Sequence, residues 1–191
     1  MSALITLFFA NVLVSNVVLT KFLGICPLLG VSRKTSSAIG MGLAVIFVIF
    51  ASSVLTYVLY YNVLVPLELQ YMDLITFILV IAAFVQFVEM VLKKYSVGLY
   101  KALGIYLPLI TTNCVVLYVT LDNIIKGFDF AEMVVYSLAV PTGFMLVLYI
   151  FATIRERLDQ SNIPEAFKGN PIALIVAAVM AAVFGSLAGL V

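Results

Sequence analysis

Six apolar runs dominate the chain, and each is about as long as a membrane-crossing helix. A helix needs about 20 apolar residues to cross the hydrocarbon core of a bilayer. Short polar joints separate the runs, and no joint is long enough to hold a soluble domain. The pattern predicts an all-α integral membrane protein with six transmembrane helices, at residues 3–29, 37–60, 73–92, 99–121, 131–154 and 171–190.

The composition supports a membrane protein and excludes several functions. Of the 191 residues, 65% are hydrophobic and 10% are charged, whereas a soluble domain is about half apolar and about a quarter charged. The net charge of +1 argues against nucleic acid as a partner. The chain has no histidine and no Walker, GxSxG or HExxH motif, so it holds no complete ATPase or hydrolase site. Two cysteines are too few for a disulfide framework. No basic residue precedes the first apolar run, so a cleaved signal peptide is not expected.

The basic residues fall on alternate joints, which predicts an orientation in the membrane. Joints one, three and five carry nearly all of them, while joints two and four carry only Lys126 together with five acidic residues. Lysine and arginine mark cytoplasmic joints. We therefore expect the odd joints in the cytoplasm and both termini on the outer side. The basic residues of the odd joints are Arg33, Lys34, Lys93, Lys94, Lys101, Arg155, Arg157 and Lys168.

The chain resembles two copies of one three-span unit. Three pairs of segments match at a common offset of about 95–98 residues. Because each copy holds an odd number of spans, the second copy enters the membrane from the opposite side. We predict a single transmembrane domain over 1–191, made of two inverted three-helix repeats at about 1–95 and about 98–191. The matching pairs are SNVVL (15–19) with TNCVVL (112–117), GLAV (42–45) with SLAV (137–140), and DLITFIL (73–79) with NPIALIV (170–176).

Spans one and four each contain a glycine followed by a proline. Such residues kink or interrupt helices. Discontinuous helices form the binding sites of many inverted-repeat membrane proteins. The alternative is that membrane helices simply carry more glycine and proline than soluble ones. We predict that spans one and four are broken at these residues, which are Gly24 and Pro27 in LGICP and Gly104 and Pro108 in LGIYLP.

A break in span one is required if the two cysteines are to meet. In straight helices Cys26 would lie about 33 Å along span one and Cys114 only about 20 Å along span four. They meet only if span one breaks near residues 21–27 and the chain turns back inward. Lys21, in the same segment, either snorkels to the cytoplasmic face or faces a polar cavity, and snorkelling is the simpler interpretation.

Two asparagines occupy matching positions in the repeats, at Asn16 and Asn113. Amides in apolar spans form hydrogen bonds between helices or satisfy backbone groups that a break leaves free. Together with Thr111 and Thr112, they are expected to support the broken spans rather than to contact a ligand directly.

The two cysteines have two interpretations. A lone cysteine in a membrane helix is usually a small apolar side chain. However, Cys26 and Cys114 both lie in the spans that carry the breaks, and neither has a cysteine counterpart in the other repeat. As metal ligands they would supply two thiolates, whereas a 2Fe-2S cluster or a four-cysteine zinc site needs four. The remaining ligands would then come from a second polypeptide.

Four segments carry a resemblance to a known family: KFLGICPLLGVSRK (21–34), LGIYLPLITTNCVVL (103–117), IRERL (154–158) and IPEAFKGNPIALI (163–175). They resemble RnfA, a membrane component of the Rnf complex that is related to NqrD and NqrE of the sodium-pumping NADH:quinone reductase, Nqr. The resemblance extends over the whole chain, and the FKGNPIALI stretch favours RnfA over the Nqr relatives.

The resemblance implies an electron-transfer subunit of a redox-driven ion pump. Rnf is a ferredoxin:NAD⁺ oxidoreductase of the bacterial or archaeal cytoplasmic membrane that couples electron transfer to Na⁺ or H⁺ transport. Its RnfA and RnfE components are six-span homologues of opposite orientation, and each contributes two cysteines to a 2Fe-2S cluster between them. On this chain those cysteines would be Cys26 and Cys114. The partners would be the other Rnf subunits, chiefly RnfE, and membrane lipid.

Two other functions remain open at this stage. An inverted-repeat secondary transporter would fit the broken helices equally well, and it would tolerate serine at both cysteine positions. A scaffold subunit with inert cysteines would be needed for assembly alone.

Overall fold

The computed structural model describes residues 2–32, 35–67, 70–95, 109–110, 112–161, 164 and 167–188, and nearly all of them are helical. A π-helical turn over Ala10–Val14 continues the first helix, and another over Tyr60–Leu64 continues the fourth. A short 3₁₀ turn, Gln70–Met72, precedes the fifth. The helices with defined bounds are α1 (Ser2–Phe9), α2 (Val17–Thr20), α3 (Ile25–Val31), α4 (Thr35–Leu59), α5 (Asp73–Tyr95), α6 (Cys114–Ile125), α7 (Phe130–Asp159) and α8 (Asn170–Ala188).

The helical, apolar character predicted from the sequence is confirmed. In the part of the chain that the structure describes, three helices are long and apolar enough to cross a membrane, and three shorter apolar helices accompany them. Each of the six overlaps one predicted run. The arrangement of six spans in two inverted repeats stays a prediction. The long helices are Thr35–Leu64, Asp73–Val91 and Phe130–Asp159, and the shorter ones are Leu4–Val14, Cys114–Ile125 and Asn170–Ser186.

The first apolar run is interrupted twice. One break lies at Ser15–Asn16, before α2, and was not predicted. The other lies at 21–24, before α3, inside the segment where the sequence predicted a break. Here Gly24 adopts a positive φ of 80°, which ends one helical stretch and starts the next. Pro27 lies in the first turn of α3, where backbone N–H groups have no partner within the helix, so it does not itself break the helix.

The fourth apolar run also restarts in its interior. Leu109 and Ile110 are helical, Thr112 lies in a turn, and α6 begins at Cys114. Gly104, Pro108 and Thr111 lie outside the described residues. The described interruption is therefore at Thr112 and Asn113, and Asn113 adopts an extended conformation (φ −72°, ψ 114°).

An antiparallel pair, α4 and α7, forms the centre of the structure. The backbone of α4 at Gly42 is so close to α7 that an added Cβ would lie 2.5 Å from Cγ of Met145. Further along the pair, the rings of Tyr57 and Phe130 are 5.9 Å apart. The shared interface buries one side of each helix, and the broken segments pack against this pair. Its most buried side chains include Met41, Val45 and Ile49 of α4 and Phe144, Leu148 and Phe151 of α7.

The other helices pack around this pair to different extents. The π-helical turn after α1 crosses α7 at Gly143, where an added Cβ would lie 3.0 Å from the carbonyl oxygen of Val12. α2 packs against α8. In contrast, α5 lies at the periphery and exposes large apolar side chains such as Ile75 and Leu79.

The crossing of the first span and α7 is tested by Gly143→Ala. The new methyl group would overlap Val12 and Asn16, so we expect the free energy of unfolding to fall by about 1–3 kcal/mol, as for other overpacked sites. Gly40→Ala, in open space on α4, is the matched control and should leave stability unchanged or slightly higher. Thermal unfolding in detergent, followed by circular dichroism, measures both. Equal midpoints for the two variants would contradict this packing.

Candidate metal centre

Asn16 and Asn113 cap the helices that follow them in the same way. The Oδ1 atom of Asn16 accepts a hydrogen bond from the backbone N–H of Val18 at 3.1 Å, and Oδ1 of Asn113 accepts one from Val115 at 3.1 Å. Asparagine is among the most favourable N-cap residues because its side chain satisfies an otherwise unpaired donor. The matching SNVVL and TNCVVL segments therefore have the same local structure.

The amide nitrogens of the two asparagines differ. Nδ2 of Asn16 donates to the carbonyl oxygens of Gly143 at 2.9 Å and Val12 at 3.2 Å. Nδ2 of Asn113 has no hydrogen-bond partner among the described residues, although the residue is buried. Asn16 thus links the break in span one to α7, whereas Asn113 makes no such link within the described part of the chain.

The two broken spans meet at Gly24 and Cys114. The backbone N–H of Gly24 donates a hydrogen bond to Sγ of Cys114, with an N–S distance of 3.0 Å. A Cβ at Gly24 would lie 2.8 Å from both Phe144 and Val115, and the positive φ also disfavours any other residue. Close by, Phe22 has a φ of 55°, the one positive value at a non-glycine residue in the described ranges.

This contact brings the two cysteines into one region. Cys114 is the first residue of α6 and is partly buried, while Cys26 is the second residue of α3 and is exposed. Gly24 lies two residues from Cys26, so the Cα atom of Cys26 is at most roughly 12 Å from Sγ of Cys114, given about 3.8 Å between successive Cα atoms. Neither cysteine forms a disulfide.

Both cysteines lie in the first turn of a helix. The start of a helix carries partial positive charge, which favours an adjacent anionic group. The Gly24 N–H adds a hydrogen bond to one sulfur. Among the described residues, no group of three or more His, Cys, Asp or Glu side chains could hold a metal ion. The two thiols would supply two of the four ligands that a four-cysteine iron–sulfur site takes.

Arg155 holds the other end of α3, a role that the sequence analysis did not predict. Its Nη1 atom donates to the carbonyl oxygen of Leu29 at 2.9 Å and to Oγ of Ser32 at 2.8 Å. These acceptors lie at the end of α3, where carbonyl groups lack helical partners. Arg155 was counted only as a cytoplasmic charge. Its burial could have been recognised from its position four residues after Phe151, which lies on the buried side of α7.

The far end of α6 is also attached to α7. Oη of Tyr136 donates to Oδ2 of Asp122 at 2.5 Å, and Nζ of Lys126 lies 2.7 Å from the same oxygen. Nδ2 of Asn123 donates to Oγ of Ser137 at 3.2 Å. These bonds fix the helix that begins with Cys114 at the end away from its thiol.

The other described residues that the sequence predicted for the site have smaller roles in it. Pro27 is buried within α3, and Thr112 is exposed in the turn before Asn113. Lys21 is exposed and ends α2, next to the second break of span one. Neither Thr112 nor Lys21 takes part in the contact between Gly24 and Cys114 described above.

Comparison with known proteins decides the family. The model of the Rnf-Nqr subunit family, described as a membrane protein, matches residues 4–191. The chain belongs to the Rnf-Nqr subunit family. The resemblance drawn from the four sequence segments is thereby confirmed, and the chain is a membrane protein.

Relatives of this Rnf-Nqr protein are similar over their full length, and each is named as the A component of its complex. The relative from the ion-translocating oxidoreductase complex of Serratia proteamaculans is 51% identical over 191 residues, which cover 100% of this chain and 99% of the relative. The relative from the Na⁺-translocating ferredoxin:NAD⁺ oxidoreductase complex of Acetobacterium woodii is 50% identical over 187 residues, or 98% of this chain and 97% of the relative. The relative from the ion-translocating oxidoreductase complex of Shewanella oneidensis is 49% identical over 100% of both chains.

The contact between the broken spans is tested by Gly24→Ala. A positive φ costs a non-glycine residue about 1–3 kcal/mol, and the added methyl group also overlaps Phe144 and Val115. We expect a lower unfolding temperature and faster alkylation of Cys114, followed by mass spectrometry of its peptide. Gly30→Ala, on the same helix with its nearest neighbour at 3.4 Å, is the control and should change neither. Alkylation at the same rate in both variants would argue against the N–H to sulfur bond.

The attachment of α3 to α7 is tested by Arg155→Gln. The shorter side chain leaves the Leu29 carbonyl and the Ser32 hydroxyl without their donor, at a cost of about 1–3 kcal/mol for a buried polar group. Arg157→Gln removes an exposed charge two residues away on the same helix, and it should change stability by less than about 0.5 kcal/mol. Chemical denaturation of the detergent-solubilised protein compares them. The assignment fails if Arg157→Gln destabilises the protein as much as Arg155→Gln.

Proposed function

We propose that this chain is the RnfA component of an Rnf-type ferredoxin:NAD⁺ oxidoreductase, and that it transfers electrons within the membrane while the complex moves Na⁺ or H⁺. Cys26 and Cys114 bind one half of a 2Fe-2S cluster. The other two thiolates come from RnfE, a homologous subunit of opposite orientation. The complex as a whole performs catalysis, and this chain contributes an electron carrier rather than a substrate site.

The hydrogen bond from Gly24 to Cys114 is the observation that carries this proposal. It connects the segment that bears one cysteine to the sulfur of the other, across 90 residues of sequence. Each cysteine also lies in the first turn of a helix. The positive φ of Gly24 and its close contacts with Phe144 and Val115 disfavour a larger residue at the point where the two segments meet.

The need for a partner follows from the number of ligands. An all-cysteine 2Fe-2S cluster takes four thiolates, and the chain has two cysteines. Relatives that are about half identical over their whole length are named as subunits of oxidoreductase complexes. A second subunit therefore completes the site.

The inverted-repeat architecture is part of the proposal. The matched caps at Asn16 and Asn113 support it, because the two segments that match in sequence also have the same backbone conformation, with φ and ψ of −65° and 116° against −72° and 114°. The alternation of basic joints supports both termini on the outer side of the cytoplasmic membrane. A pseudo-two-fold axis in the membrane plane relates the two repeats.

The residues around the sulfurs have distinct tasks in electron transfer. The cluster, when bound, supplies a one-electron carrier. Cys26 and Cys114 would hold the cluster from the first turns of two helices, and the Gly24 N–H donates a hydrogen bond to one of the two sulfurs. Phe144 and Val115 pack against Gly24. Arg155 and the α6–α7 bonds keep the two helices from shifting relative to each other.

Coupling to ion movement is assigned to the interrupted first span. Reduction of a cluster held there would add negative charge beside α3, and the segment from Phe22 to Gly24 would be the connection that responds, because it contains both positive φ values of that span. A change there would open or close a path beside the broken helices, by analogy with alternating access. Reduction that leaves these helices and the ion flux unchanged would remove this step from the proposal.

Electron paramagnetic resonance of the purified complex tests the cluster assignment. We expect a 2Fe-2S signal in the parent complex and its loss in Cys26→Ser and in Cys114→Ser, with all subunits still present on a native gel. Val17→Ser is the matched control, because Val17 follows Asn16 as Cys114 follows Asn113, and it should keep the signal. An unchanged signal in both cysteine variants would contradict the cluster assignment. A secondary transporter would then be favoured if substrate flux needs no redox partner, and a scaffold subunit would be favoured if assembly alone depends on this chain.

A further inference from the structure

Asn113 is a buried hydrogen-bond donor that lacks an acceptor among the described residues. The residue is 4% exposed, and its Oδ1 atom is already used to cap α6. Its Nδ2 atom is the one side-chain nitrogen among the unpaired buried side-chain atoms of the described residues. Native proteins pair such groups almost without exception, so a further acceptor is expected.

The other repeat explains why the acceptor is missing. Nδ2 of Asn16 reaches the carbonyl oxygen of residue 143 because that residue is glycine, and an added Cβ there would lie 3.0 Å from the nitrogen. At the offset of the GLAV and SLAV match, the corresponding residue of α4 is Val48. At this aligned position α4 carries a branched side chain and α7 carries none. The amide of Asn16 is therefore satisfied within the chain, whereas the amide of Asn113 is left to donate a hydrogen bond to another group.

Asn113 and Cys114 are among the residues that line one cavity. It has a volume of about 320 Å³ and lies between α5 and the start of α6. Most of its lining is apolar, so water is a poor substitute for the missing acceptor. The positive end of α6 favours an acceptor that carries negative charge. The lining includes Ile78, Ile81 and Ala82 on one side and Thr112, Asn113 and Cys114 on the other.

We propose that the side-chain amide of Asn113 donates a hydrogen bond to a sulfur of the iron–sulfur centre held through Cys114, and that it raises the reduction potential of that centre. This inference rests on the proposed function. The sulfurs of such a cluster are anionic acceptors, and donors to them stabilise the reduced form, which carries one more negative charge. Asn113 is then a positioning and tuning residue, not a ligand, and Gly24 is the second donor.

A redox titration of the purified complex tests this directly, with the cluster followed by paramagnetic resonance. Asn113→Ser keeps a capping oxygen and removes the amide. We expect the equilibrium constant for one-electron reduction to fall about tenfold, which corresponds to a potential about 59 mV lower. Asn16→Ser is the matched control. It loses the bond to Gly143 but not a bond to the cluster, so its potential should equal that of the parent.

The outcomes separate this inference from the proposed function. Absence of any cluster in the parent complex overturns the proposed function. A cluster whose potential is unchanged by Asn113→Ser, or shifted equally by Asn16→Ser, overturns only the role of Asn113 and assigns its amide to packing against a partner subunit or a lipid.

A measurement on the unaltered complex covers the case in which Asn113→Ser does not assemble. Asparagine labelled with ¹⁵N in the side-chain amide should give a ¹⁵N coupling to the reduced cluster in pulsed resonance spectra, together with coupling to an exchangeable proton. Without that coupling the inference is overturned, whatever the variants do.

Discussion

Backbone groups that a helix break leaves unpaired cannot be satisfied by hydrocarbon, and this constraint shapes the whole molecule. Each break in an apolar run needs a local donor or acceptor, and the asparagine caps provide it at Asn16 and Asn113. The central pair of α4 and α7 then provides the surface on which the interrupted segments pack. Because the breaks are supported in this way, a helix start with a cysteine can lie inside an otherwise apolar protein.

Each half of the chain contains an asparagine that caps a helix, but the two side-chain amides have different surroundings. In the first half, the amide of Asn16 is consumed in attaching the break to Gly143 of α7. In the second half, the corresponding amide nitrogen is buried and has no hydrogen-bond partner among the described residues. The same asparagine cap therefore forms a tertiary hydrogen bond at Asn16, whereas at Asn113 it leaves a donor without an acceptor in the described part of the chain.

Part of the fold and of the candidate site could be predicted from the sequence, whereas the rest depends on contacts between residues that are far apart in the sequence. The length and hydropathy of the apolar runs were sufficient to predict apolar helices, and the motifs around Cys26 and Cys114 were sufficient to identify the family. The break at Ser15–Asn16 was missed because hydropathy treats an asparagine in an apolar run as one polar residue, not as a cap. The role of Arg155 was missed because a charge rule assigns arginines to a side of the membrane and says nothing of the carbonyl they bind.

The attachment of α3 at both ends makes its length as constrained as its composition. Its first residues are held through Gly24 and its last through Arg155. Seven residues span about 10 Å, and one residue more or less would move the far end by about 1.5 Å and turn it by about 100°. Such a change would place Cys26 on another side of the helix, although the neighbouring residues would keep their identities. α3 therefore acts as a fixed spacer, and evolution can vary its apolar side chains far more freely than it can insert or delete a residue between Gly24 and Ser32.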